Sequence, residues 1–471
     1  MPFVDLVSVD DYASLWYWTN TSSNTVGTFD PDKPTILLLH PAGLDSSWLQ
    51  GQVEDPRLCS DYNMIMLDTR ITGQSECRFT GKHDLWVTAA DLAHVFYRLH
   101  LPPAHIFAPD IYTLAALRFA ALFPSLCLSL TLVNVPPPKD AESVLNTMEE
   151  LTQLWGYAED LETFEYACKE YLGIFAGPHA HPDLLDEIVS FWELKYAPFR
   201  RVYAMANTNL VLNRIPLTLQ ELASISTPVL IVQAQSSLSH PLHNAEQLVD
   251  DLVNVPGGAM LFPIKATAGY LSVVCASLVN QVFAKFLSRQ PKARSDLVRP
   301  NKLLGDFMYE GLERLAAFKG DSSILTRDPC SPLSFSCVTP DSAKVQEENI
   351  ATYSKGMRQA FSPLGPDRRP IRKFSERQDH WLDAGRDGFS RSEYIGRGPA
   401  FDTKKPPRGR DGKLGFQRGG NAPSSQPAAD DLPTTEVQLS RIRKANLEKQ
   451  VVKGSMAKVV SATSSVPRLL R

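Results

Sequence analysis

Apolar and polar positions follow one pattern from Tyr12 to Asn134, a second to Leu217, and the first again to about Gln290. In the first stretch short apolar runs alternate with amphipathic ones, which predicts strands and helices layered on one another. The runs at 12–18, 35–39, 64–67, 105–108 and 130–135 read as strands, and 114–122, stopped by Phe123-Pro124, as a helix. The run 35–39 is almost wholly apolar, as suits a parallel strand buried on both faces. Between 140 and 217 only helical spacing remains, for example Leu151, Leu154, Tyr157, Leu161 and then Ile188, Phe191, Leu194. This predicts a helical insertion, after which strand 228–233, helix 244–253, strand 259–262 and helix 279–286 restore the rhythm.

Past Gln290 the pattern fades. Segments such as DTKKPPRGRDGKLGFQRGGNAPSSQPAADD hold little to bury and are expected to be disordered. An exception is 303–318, where Leu304, Phe307, Met308, Leu312 and Leu315 form a stripe at helical spacing. That stripe suits a helix docked on the first domain, or one that binds a partner. The chain therefore divides into an α/β domain at 1–290 with its insertion at 140–217, a short helical segment at 291–325, and a basic, mostly disordered tail at 326–471.

Composition alters this picture in charge alone. Residues 1–290 hold 16 Lys and Arg against 31 Asp and Glu, a net of −15, whereas 291–471 hold 32 against 21, a net of +11. The tail is thus a candidate contact for an acidic partner. Its segment 396–413 is basic with a single aromatic, Phe401, which reads as a solvated tail rather than a nucleic-acid surface. The hydrophobic fraction of 43% is ordinary, and no run approaches the ~20 apolar residues of a membrane span. With acidic residues where a leader would be basic, and seven scattered cysteines without a CxxC pair, the chain reads as cytoplasmic with reduced thiols. GDFMYEG (residues 305–311) fits no phosphate-cradling loop, and His179 and His181 lack further ligands nearby in sequence, so neither cofactor nor metal is expected.

Three segments in order resemble the α/β-hydrolase superfamily: ILLLHPAG (36–43), LDTRITGQS (67–75) and HIFAPDIYTLAALRFAALFP (105–124). A fourth, TPVLIVQAQ followed by HNAEQL, is similar to the late strand before the family's acidic residue. The resemblance spans about 10–290. It implies an α/β fold of the hydrolase type, with a mostly parallel central sheet flanked by helices and a helical cap.

The resemblance also assigns chemical positions. The nucleophile elbow G-x-Nuc-x-G reads Ala108-Pro109-Asp110-Ile111-Tyr112, so Asp110 takes the nucleophile's place and both glycines are gone. Such a turn has either relaxed or been rebuilt. Related dehalogenases and epoxide hydrolases use an aspartate there to form an ester that a histidine-activated water cleaves. The position of that histidine is held by Gly269, and the chain has no histidine between His243 and His380. The acidic position reads Ser237. His240 and His243 share that loop and are expected at the surface or the helix start, although either one turned inward would supply an imidazole. Oxyanion donors would be the amides of Ala42 and Ile111, with Pro41 lacking one and His40 packed under the loop.

With all three triad positions changed, the expected role is non-catalytic: a ligand-binding or scaffolding protein with a small apolar ligand between core and cap. The alternative is a hydrolase of esters or epoxides using Asp110 with an atypical histidine.

Overall fold

The computed structural model describes residues 2–177, 180–212 and 214–371. Its strands are β1 (Phe3–Val7), β2 (Tyr12–Thr19), β3 (Thr35–Leu38), β4 (Asn63–Leu67), β5 (Glu76–Cys77), β6 (Ala104–Pro109), β7 (Cys127–Val133), β8 (Val229–Ala234) and β9 (Met260–Ile264). They form one sheet in the order β1-β2-β4-β3-β6-β7-β8-β9, with β5 beside β2. Pairing is antiparallel at β1–β2, β2–β4 and β2–β5, and parallel from β4 through β9. Every residue of β3, β4, β6 and β8 is buried, because helices cover both faces of this parallel part.

Numbering only the helices of ten or more residues, α1 (Leu85–Leu99) and α2 (Tyr112–Leu122) precede the insertion. The insertion itself is α3 (Glu142–Gly156), α4 (Leu161–Phe175), α5 (Pro182–Lys195) and α6 (Arg201–Leu212). Then come α7 (Leu242–Asp251), α8 (Ala276–Leu287), α9 (Leu304–Lys319) and α10 (Pro340–Ser354). One face of the sheet packs with α1, α2 and α9 in the largest apolar cluster, and the other packs with α8 through Val279, Phe283 and Phe286. The insertion has a core of its own, built on Trp155, Phe164, Ile188, Phe191 and Trp192.

All eleven residues of α2 are buried. A helix apolar all round must be covered all round, and the stripe on α9 supplies the outer cover: Met308, Leu312 and Leu315 join the same cluster. The approach is close enough that a Cβ on Gly311 would stand 2.6 Å from the Phe123 ring.

Structure also continues past residue 325, where the sequence pattern places the start of a mostly disordered tail. Helix α10 is capped by the Thr339 side chain and buries Ala343, Gln346, Asn349 and Tyr353. Its partners explain this. Arg201 of α6 donates from Nε to the Tyr353 carbonyl at 2.7 Å, and the Tyr157 and Tyr353 rings meet edge to face at 5.4 Å. Such polar and aromatic contacts leave no long apolar stripe to read. His179, His380 and the basic segment 396–413 lie outside the described residues.

Candidate functional site

The site forms at the C-terminal ends of the parallel strands, where β6 turns into α2. Asp110 occupies that turn with φ +53°, the left-handed region that aspartate tolerates better than bulkier residues. The turn has neither relaxed nor opened. Strand pairing continues into it through the Asp110 amide on the Val133 carbonyl (2.8 Å), and Thr113 closes the first helical turn from its amide (3.0 Å) and hydroxyl (2.7 Å) to the Asp110 carbonyl. Tyr112, too large for a glycine's place, turns under the β3 loop. Its hydroxyl meets Thr69 Oγ1 at 2.6 Å and its ring lies edge-on to His40 at 4.9 Å.

Asp110 is 4% exposed, and both of its carboxylate oxygens are engaged. Oδ2 accepts from the amide of Ala42 at 3.3 Å, so the predicted oxyanion donor is turned onto the elbow side chain itself. Oδ1 accepts from Nε2 of His240 at 2.8 Å. His240, expected at the surface, is 1% exposed. The loop after β8 is tightened by Ser237, whose hydroxyl accepts from the His240 amide at 3.2 Å, and the far ring nitrogen, Nδ1, pairs with Ser239 Oγ at 2.9 Å. The residue at the acidic position thus shapes the loop that delivers an imidazole. His243, two residues past Pro241, is exposed, and Ile111 is buried at the start of α2.

The position of the missing base is filled. A Cβ on Gly269 would lie 2.2 Å from the Phe175 carbonyl oxygen and 2.8 Å from Ser239 Oγ, so no histidine fits there. The end of cap helix α4 is tied down at that point by the Tyr270 amide, which donates to the same carbonyl at 2.8 Å. Asn134, at the end of β7, donates to the carbonyls of Ala268 (2.8 Å) and Gly269 (2.7 Å) and fixes the loop from below.

His40 lies wholly in the core. Its Nδ1 donates to the Pro41 carbonyl at 2.9 Å, and Nε2 accepts from Thr72 Oγ1 at 3.0 Å and the Thr69 amide at 3.3 Å, which defines one neutral tautomer. Burial lowers its pKa, opposed by the nearby Asp68 carboxylate. Burial, with Asp45 close by, raises that of Asp68. His40 is a structural support for the loop carrying Ala42.

Above the pair, between core and cap, lies a pocket. Ala42, Gly43 and Tyr270 line it on the core side, and Trp155, Tyr171, Phe175, Trp192, Tyr196 and Asn207 are among its cap residues. Neither Asp110 nor His240 lines it. Tyr270 donates to the Ala42 carbonyl at 2.9 Å and Trp192 Nε1 to the Gly43 carbonyl at 2.7 Å. These aromatic residues are not marked in the sequence by any motif. Their common signal is an aromatic-rich cap, which helical packing alone would also produce.

The family model of the α/β-hydrolase fold matches residues 35–262. Over these residues, with this sheet order, elbow and cap, the chain has the α/β-hydrolase fold. Among solved structures, MGS-M2, an α/β-hydrolase enzyme from a Medee basin deep-sea metagenome library, is similar at 15% identity and a TM-score of 0.51, covering 61% of this chain and 98% of its own. A hydrolase from Pseudomonas aeruginosa PA01 shares 19% identity (TM-score 0.48; 60% and 98% covered). A thermophilic esterase from Thermogutta terrifontis shares 17% (TM-score 0.49; 61% and 99% covered). At 15% identity the likeness to MGS-M2 is one of fold. No curated protein matches the chain.

Proposed function

We propose that this protein binds a small apolar ligand in the pocket between core and cap and does not hydrolyse it. The observation that carries this reading is the position of the elbow carboxylate. Asp110 is buried, both oxygens are engaged by Ala42 and His240, and the pocket wall contains neither residue of the pair. A nucleophile must reach the reacting atom at roughly 3 to 3.5 Å, and it is Ala42 and Tyr270, rather than Asp110, that face the space where a ligand would rest. The filled space beside Gly269 supports the same reading.

A second reading is favoured by one contact. The Asp110–His240 pair at 2.8 Å, on an elbow that keeps its left-handed turn, has the parts of an aspartate nucleophile and a base supplied from the β8 loop. The deciding experiment is turnover of short and medium acyl esters and of an epoxide by the full chain, with Asp110→Ala as control. Turnover lost in the variant establishes the second reading, and none above the variant leaves the first.

Two further parts of the proposal rest on composition. The opposite net charges of 1–290 and 291–471 support an acidic partner for the basic C-terminal part, in the manner of a scaffold. Seven free thiols support a reducing, cytoplasmic setting. No helix among the described residues is long and apolar enough to cross a membrane.

A further inference from the structure

The hydrogens of the cap pocket are committed in one direction, and this deepens the binding reading above, on which it rests. Asn207 on α6 donates from Nδ2 to the Tyr203 carbonyl at 3.1 Å and to the Ile71 carbonyl at 3.3 Å. An amide nitrogen has two hydrogens and a carbonyl can only accept, so these two contacts fix the orientation of the group. Oδ1 is the atom left for a ligand.

The other donors of the lining are used in the same way. Trp155 Nε1 donates to the Tyr196 carbonyl (2.6 Å), Trp192 Nε1 to that of Gly43 (2.7 Å), and Tyr270 Oη to that of Ala42 (2.9 Å). The hydroxyls of Thr152 and Thr208 donate back to the carbonyls of Met148 (2.8 Å) and Ala204 (3.0 Å). The exception is the Tyr196 hydroxyl, buried without a partner among the described residues, with Asp45, Asp68 and Arg200 as its charged neighbours. The wall is aromatic: the rings of Tyr171 and Phe175 stack within 8° of parallel and those of Phe175 and Tyr270 within 14°, while Trp155 and Trp192 stand edge-on to Tyr171.

We infer that the pocket takes a small neutral aromatic compound carrying a hydroxyl donor, bound by ring packing and by donation to Asn207 Oδ1, and that it turns away carboxylates and acceptor-only groups. A carboxylate brought there exchanges water for a wall with few free hydrogens, which is costly. An ether or ester in place of the hydroxyl leaves Oδ1 facing an acceptor.

The test is calorimetric titration of the full chain with 2-naphthol, 2-methoxynaphthalene and 2-naphthoate. The expected order places 2-naphthol about five- to tenfold tighter than the methoxy compound, the size of one net hydrogen bond, and 2-naphthoate weakest. Asn207→Leu is expected to bring 2-naphthol down to the level of the methoxy compound. Equal affinity of 2-naphthol and 2-methoxynaphthalene for the unmodified protein overturns the inference without recourse to the variant, and leaves the binding reading standing. So does 2-naphthoate binding as tightly as 2-naphthol. Binding of none of the three overturns both, whereas ester turnover overturns the binding reading by itself.

Discussion

His240 Nε2 stands 2.8 Å from Asp110 Oδ1 across a sequence separation of 130 residues, and both side chains are out of reach of water. Removing either partner strands the other. Asp110→Ala leaves a ring donor and the Ala42 amide without an acceptor, and His240→Ala leaves a buried carboxyl with a donor fewer. Each is expected to cost about 3 kcal/mol, within the range for breaking a buried pair. The double variant should lose less than the sum, with a coupling of about 1–3 kcal/mol in a urea-unfolding cycle. Strict additivity would show that the contact does not form in solution.

Gly269 offers a test of whether the base can be restored. Because a Cβ there meets the Phe175 carbonyl at 2.2 Å, Gly269→Ala is expected to destabilise the protein by about 3 kcal/mol, at the upper end for overpacking. Gly269→His should cost more and confer no ester turnover. A melting temperature within a degree or two of the unmodified chain would show that the end of α4 can retreat.

Acid should weaken the fold through its interior histidines. Burial, aided by Arg98 and Arg70, pushes His94 down to about 3, and burial pushes His105 down to about 4, from an ordinary value near 6.5. Between those limits the unfolded chain binds more protons than the folded one, so stability is complete above about pH 6.5 and declines as pH falls toward 4. The slope is roughly 1.4 kcal/mol per pH unit for each such histidine. Neither ring nitrogen of His94 has a partner among the described residues. His94→Leu should therefore raise stability at pH 7 and flatten the acid slope by about one histidine's share. Parallel slopes in urea unfolding at pH 5 and pH 7 would contradict this.

Leu312 tests the dependence of α2 on its outer cover. It is fully buried in the cluster shared by α1, α2 and α9. Leu312→Ala is expected to cost about 2–5 kcal/mol, read by denaturant midpoint, although it lies beyond the last strand of the sheet. A cost below about 1 kcal/mol would mean that α9 is dispensable.

Much of this architecture is legible in the amino-acid pattern because burial on both faces leaves a continuous apolar run. Ile36, Leu37 and Leu38 in β3 and Ile106 and Phe107 in β6 are of this kind. The place of Asp110 is legible from the strand before it and the helix after it. Other elements leave no such mark. β1 carries Asp5 between apolar neighbours at a sheet edge, and α10 buries Gln346 and Asn349 alongside Ala343 and Tyr353, so its inner face looks like an outer one. His240 is legible as a loop residue only. That its ring turns inward depends on a turn tied by Ser237 and on an acceptor contributed by a distant strand, and neither is a local property of the chain.

Helix α10 joins the cap to the chain that follows the sheet. Besides its two chain crossings, the cap is tied to the core by Trp192 on the Gly43 carbonyl, Asn207 on that of Ile71 and the Tyr270 amide on that of Phe175. Arg201 of the cap is also hydrogen-bonded to the Tyr353 carbonyl, while the same C-terminal chain is anchored on the core through α9. That contact makes the C-terminal chain a further brace between cap and core. On the proposed binding reading, a bound molecule leaves no faster than that brace lets go, so residence is long even where affinity is modest.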